Sequence, residues 1–148
     1  MKSKGIYIGI DPGVDTGVCV WDADQQTILR LDTLGFWSVI GLLSAYKNQH
    51  GELLSVVIED PNLNKAMHWQ QKKSVRGFNP ATKIAQNVGQ NKKEAELIIK
   101  YLEANQFSYE AIRPVTRKIG ARVFKHLSGY KDRTNQHVRD AAMLVINR

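Results

Sequence analysis

A chain of 148 residues with 43% hydrophobic content fits one globular domain with a core of its own. It has no run near the roughly 18 to 20 apolar residues that span a bilayer, its start (Met1-Lys2-Ser3-Lys4) reads as no secretory signal, and its one cysteine excludes an internal disulfide or a cysteine-based zinc cluster. The formal charge of +7 points to a polyanionic partner, nucleic acid first, and the chain reads as intracellular.

In chain order, Ile6, Ile8 and Ile10 alternate with Tyr7 and Gly9, so residues 5–11 are expected to form a strand. Asp11 closes it, and Pro12-Gly13 turns the chain. Thr16 to Asp22 reads as a second strand, with Cys19 inside an apolar run, and Thr27 to Thr33 as a third. The connections are too short for crossovers, so the three make an antiparallel meander. Trp37, Ile40, Leu43 and Tyr46 predict a helix over 36–49, stopped at Gly51. The continuous run from Leu53 to Glu59 reads as a buried strand parallel to the first. From Asp60 to about Pro80 the pattern dissolves into a polar, basic stretch, and loops that long are usually functional. Residues 81–104 regain helical spacing, Tyr109 to Arg113 is a short strand stopped by Pro114, and Thr116 to Leu127 reads as helix. A last helix is expected over Thr134 to Ile146. The order predicts one α/β domain over 1–148: a mixed five-stranded sheet, a three-stranded meander plus parallel strands, flanked by helices.

Three acids stand out in that frame. Asp11 and Glu59 close two core strands, and parallel neighbours deliver both carboxylates to one sheet edge, where ligand sites of such sheets lie. Asp60 follows Glu59, but successive strand residues face opposite sides. On the last helix His137 and Asp140 share a face at i, i+3, and the small Ala141-Ala142 lets that helix lie close to the sheet. Three carboxylates at one edge suit Mg²⁺ or Mn²⁺. Two such ions, one activating water and one neutralising the leaving oxygen, are an arrangement for phosphodiester hydrolysis. The basic stretches supply the matching surface: Lys72, Lys73, Lys92, Lys93, Arg117, Lys118 and Arg122 are candidate phosphate contacts.

At these residues the chain resembles the RuvC family of Holliday junction resolvases, within the RNase H-like superfamily. The matching segments are Gly9-Ile10-Asp11-Pro12-Gly13 with Thr16-Gly17, Val57-Ile58-Glu59, and His137-Val138-Arg139-Asp140-Ala141-Ala142. Weaker matches are Asn87-Val88-Gly89-Gln90 and Arg113-Pro114-Val115-Thr116-Arg117-Lys118. The resemblance implies Asp11, Glu59 and Asp140 as metal ligands, with His137 in or beside the site as ligand or water-orienting group. It implies two Mg²⁺ or Mn²⁺ ions per site and a homodimer that nicks a four-way junction symmetrically. It also implies a cytoplasmic place in a bacterial or phage-infected cell, and the chain is short for the family, like its phage-type members.

Asp11, leaving the central strand, is the expected bridging ligand, with Glu59 on one ion and Asp140 on the other. One departure bears on substrate handling. Members of the family commonly carry an aromatic soon after the strand-end Glu, whereas Asp60-Pro61-Asn62-Leu63 has none. Trp69 or Phe78, further along the same stretch, is the candidate for stacking on or wedging between bases. Three other readings stay open: a different RNase H-like nuclease acting on branched DNA or RNA–DNA hybrids, a non-catalytic branched-DNA-binding module, and a nucleotide-binding lobe. The Gly9–Gly17 region also resembles the first phosphate loop of actin-like ATPases, but those need two lobes, and this length holds about one.

Overall fold

The computed structural model describes residues 2–63 and 80–148. Trp69, Lys72, Lys73 and Phe78 lie outside the described residues. The strands are β1 (Ile6–Asp11), β2 (Thr16–Asp22), β3 (Thr27–Leu34), β4 (Leu54–Glu59) and β5 (Ser108–Ile112), and the helices are α1 (Phe36–His50), α2 (Pro80–Ala104), α3 (Ala121–Ser128) and α4 (Gln136–Met143). The sheet order is β3-β2-β1-β4-β5. β1, β2 and β3 pair antiparallel, and β4 pairs parallel with both β1 and β5. This is the mixed sheet the sequence predicts. The carboxyl ends of β1, β3, β4 and β5 therefore share one edge.

The period of two along the strands divides the core into two layers. Ile6, Ile8, Ile10, Val56 and Ile58 pack with Val39, Leu42 and Leu43 of α1 and Ile98 and Leu102 of α2. Cys19, Trp21 and Val57 pack on the other face with Phe124 of α3, and with Ala141, Ala142 and Val145 in and just beyond α4. Asp11 is in step with Gly9, and Glu59 with Val57, so both carboxylates belong to the α3/α4 face.

Two glycines set how closely α4 approaches. A Cβ on Gly9 would stand 2.1 Å from the Ala141 carbonyl oxygen, and one on Gly17 would stand 2.2 Å from that of His137. The α4 backbone thus lies directly on β1 and β2. That contact carries His137 and Asp140 to the end of β1. Gly17→Ala forces the helix outward; overpacking of this kind costs about 1–3 kcal/mol. Denaturant unfolding should show that loss with an unchanged slope.

Two helices are shorter than the sequence reading. The helix expected from Thr116 begins at Ala121, capped by Gly120 in extended conformation. The preceding segment stays non-helical because its carbonyl is used elsewhere: Ile119 accepts from Arg139 Nε at 3.0 Å and from Gln136 Nε2 at 3.4 Å. The last helix, expected from Thr134, begins after Asn135, whose side chain accepts from the Val138 N–H at 3.0 Å. Its end tightens: Leu144 and Val145 donate three residues back, to Ala141 and Ala142. Gly51 does stop α1, at φ +55°.

Candidate active site

β1 delivers Asp11, β4 delivers Glu59, and α4 delivers His137 and Asp140 to one cleft of about 290 Å³ at the carboxyl edge of the sheet. Pro12, Pro61, Asn91, Pro114, Lys118 and Gln136 complete its walls. Asp60 is not among them. It is buried, it accepts from the Asn62 backbone and side-chain amides at 2.9 and 3.0 Å, and so it caps the short 3-10 turn at Pro61–Leu63. The alternation along β4 separates these two neighbouring acids, turning Glu59 inward and leaving Asp60 to hold the exit of the strand.

His137 Nδ1 lies 3.2 Å from Asp11 Oδ2. Asp140 is held twice: Lys118 Nζ donates to Oδ2 at 2.6 Å and Gln136 Nε2 to Oδ1 at 2.7 Å. Arg139 turns away from the cleft, donating to Thr134, Gln136 and Ile119. It ties the start of α4 to the segment that carries Lys118. Glu59 is 6% exposed, and its Oε2 is buried with no hydrogen-bond partner among the described residues.

The electrostatics follow from this crowding. Burial first, then repulsion from Asp11, pushes the Glu59 carboxyl up to about 7, with Lys118 partly offsetting both. Burial also raises Asp11, against the hydrogen bond from His137, and the Asp140 charge adds to the rise. Burial alone would lower the Lys118 ammonium; its hydrogen bond to Asp140 and the fields of all three carboxylates outweigh that and raise it. The cleft is an electron-rich pocket short of positive charge, which one lysine partly supplies.

Among the described residues, no three His, Cys, Asp or Glu side chains stand close enough together to grip an ion as they are. The donor chemistry nevertheless fits a hard divalent cation. Three carboxylates line one cleft, one buried carboxylate oxygen has no partner among the described residues, and a cationic side chain stands where extra positive charge is favoured.

The expected phosphate contacts divide by position. Lys118 points into the cleft and bonds Asp140. Lys93 pairs with Glu96 at 3.6 Å on the α2 surface, and Arg117 is exposed beside the cleft. Lys92 is half-buried, its carbonyl accepting from Asn62. Arg122 lies in a second hollow, of about 540 Å³, between α3 and the segment before α4. Lys125, Lys131 and Arg133 share that hollow, with Asp132 as its acid and Tyr130 in its wall.

The sequence reading missed Gln136, although its i, i+4 spacing to Asp140 was the available signal. It also missed Asn91, which comes from a distant helix and has no local signature. Lys131 and Arg133 stood apart from the basic blocks until the fold brought them beside Arg122.

No protein-family model matches the chain, and no curated protein sequence does. Among solved structures it is similar to T. thermophilus RuvC in complex with a Holliday junction substrate, at a TM-score of 0.60 and 16% identity, over 97% of this chain and 91% of that one. The likeness is one of fold: a mixed five-stranded sheet of the RuvC and RNase H-like kind, flanked by helices.

Proposed function

We propose that this protein is a metal-dependent endonuclease that resolves four-way DNA junctions by paired symmetric nicks. The observation that carries the reading is the cleft itself: Asp11, Glu59 and Asp140 line it at the strand carboxyl ends, with Glu59 buried and one of its oxygens without a partner among the described residues. Its fold likeness to a protein solved on a Holliday junction, and its own charge of +7, support branched DNA as substrate.

Asp11, Glu59 and Asp140 would together hold the Mg²⁺ or Mn²⁺ ions. Bound there, the ions would supply activated water and neutralise the leaving oxygen in phosphodiester hydrolysis. The chain's own groups have separate tasks. His137 meets Asp11 through Nδ1, and its other ring nitrogen would orient water. Gln136 fixes the rotamer of Asp140. Lys118, the counter-ion of Asp140, is half-exposed and within reach of an entering phosphate. The basic hollow at Arg122, Lys125, Lys131 and Arg133 continues from the cleft along the 118–122 segment and suits the flanking phosphodiester backbone.

Paired nicking needs two copies, and α2 offers a surface for them. Leu102, Ile98 and Ala95 are buried, and the same stripe continues seven residues back to Val88 and four more to Ile84. Lys83 to Asn87 are exposed there, Ile84 by 62%. A two-fold axis through this stretch would cover it with its own copy. Ile84→Lys should yield a monomer by sedimentation velocity, and junctions then nicked once per encounter rather than cut in pairs.

The test of the function is cleavage in Mg²⁺ or Mn²⁺ of a four-way junction beside linear duplex, fork and RNA–DNA hybrid. Preferential symmetric cutting of the junction is expected. Preference for the hybrid would move the protein to another RNase H-like activity, and failure on every substrate would leave a binding module.

A further inference from the structure

Both oxygens of Asp140 are engaged by donors. Lys118 Nζ reaches Oδ2 at 2.6 Å, and Gln136 Nε2 reaches Oδ1 at 2.7 Å. Among the described residues, no three His, Cys, Asp or Glu side chains stand close enough to grip an ion, although Asp11, Glu59 and Asp140 line one cleft. The ammonium of Lys118 is the positive charge in that cleft. A divalent cation that uses Oδ2 of Asp140 therefore competes with the ammonium for the same oxygen, and the two cations repel.

The surroundings allow the lysine to yield and the carboxylate to stay. The Lys118 side chain is 46% exposed, whereas that of Asp140 is 9% exposed. A lysine moves its charge on a flexible stem without moving its backbone. The backbone here is tied down, because the next residue, Ile119, accepts from Arg139 Nε and Gln136 Nε2. Gln136 also keeps its hold on Oδ1, so Asp140 retains its position once Oδ2 is released. A displaced ammonium needs another anion, and Lys118 lines the cleft into which a phosphodiester has to enter.

We propose that Lys118 is an exchangeable counter-ion: it holds Asp140 in the empty cleft and passes to a phosphate of the bound strand, which frees Asp140 for the cation. The proposal rests on the nuclease reading and adds a coupling to it. The DNA-free protein holds its ion weakly, and the substrate completes the site. The competing role is a fixed one, in which Lys118 stays on Asp140 and only reduces the negative charge of the cleft. The two roles differ in one respect. A fixed charge weakens ion binding equally with and without DNA, whereas an exchanging lysine weakens it only without DNA.

The test uses Ca²⁺, a hard ion of the same oxygen chemistry, with wild type, Lys118→Met and Lys118→Gln. Calorimetry gives its affinity for the DNA-free proteins. Fluorescence anisotropy gives their affinity for a four-way junction with and without saturating Ca²⁺, at constant ionic strength. By linkage, the factor by which Ca²⁺ tightens the junction equals the factor by which the junction tightens Ca²⁺. Without DNA both variants should bind Ca²⁺ about 5- to 10-fold more tightly than wild type, at the low end of couplings between sites. The tightening of the junction by Ca²⁺ should be smaller in both variants by that same factor. Met keeps an apolar stem and has no donor, and Gln keeps a donor without the charge, so agreement between them assigns the effect to the ammonium.

A gain in DNA-free Ca²⁺ affinity that leaves the tightening of the junction as in wild type makes Lys118 a fixed charge and overturns the proposal. Unchanged Ca²⁺ affinity in both variants overturns it too, and in either case the nuclease reading stands. If none of the three proteins binds Ca²⁺ and junction affinity ignores it, the metal-dependent reading falls and the exchange with it.

Discussion

Asp11→Asn should bind a four-way junction as wild type does and cut it at least about 10³-fold more slowly, the upper end of the cost of one preorganised electrostatic group. The substitution keeps the size and shape of the side chain. It also keeps an oxygen or amide at 3.2 Å from His137 Nδ1, so α4 has no reason to move. What disappears is one negative charge at the end of the central strand. That charge now helps push the Glu59 carboxyl upward, so its removal relieves the cleft. The variant should therefore be at least as stable as wild type in thermal unfolding, which separates a catalytic defect from a folding one. Gel-shift affinity, cleavage rate in Mg²⁺ and unfolding temperature are read on the same preparation. Cutting at the wild-type rate would remove Asp11 from the mechanism, and lost binding would make it a contact residue.

What could be read from the sequence was whatever depends on short-range regularity. The alternation through Ile6, Ile8 and Ile10, the apolar run before Glu59 and the i, i+3 pair His137/Asp140 are local signals, and each lies in the element expected for it. The positions of Asp11 and Glu59 on one face also follow from period two once β1 and β4 are parallel. What escaped depends on partners far along the chain. Thr116 to Lys118 has ordinary helical composition, yet Ile119 spends its carbonyl on Arg139 and Gln136, twenty and seventeen residues on. Lys118 reads as one more surface lysine beside Arg117, and only the approach of α4 gives it Asp140. That approach depends on Gly9 and Gly17 facing backbone carbonyls of α4, a contact no single-sequence pattern announces. Trp37 reads as an apolar position of a helix, and its exposure becomes visible only when α1 is laid on the sheet.

Glu59→Gln should stabilise the protein in the absence of metal, and only at the alkaline side. Burial and the neighbouring Asp11 raise the Glu59 carboxyl from its ordinary 4.5 to about 7 in the folded state. A carboxyl raised on folding binds its proton more tightly in the native protein. Its contribution to stability is therefore complete below about pH 4.5 and is lost as pH rises through about 7. The full difference is worth about 3 kcal/mol. Glutamine carries no charge at any pH and escapes that loss. Wild type and variant should match in unfolding free energy near pH 4.5 and diverge by up to about 3 kcal/mol near pH 9, the variant being the more stable. Mn²⁺ should reverse the order above pH 7, because an ion binds the ionised carboxylates of the native state and adds stability in proportion to its occupancy. The variant, lacking one ligand, should gain much less. Two unfolding curves at each pH, with and without Mn²⁺, decide the matter. A variant less stable than wild type at alkaline pH without metal would mean that Glu59 is satisfied by its surroundings and serves the fold. Equal stabilisation of both proteins by Mn²⁺ would place the ion elsewhere.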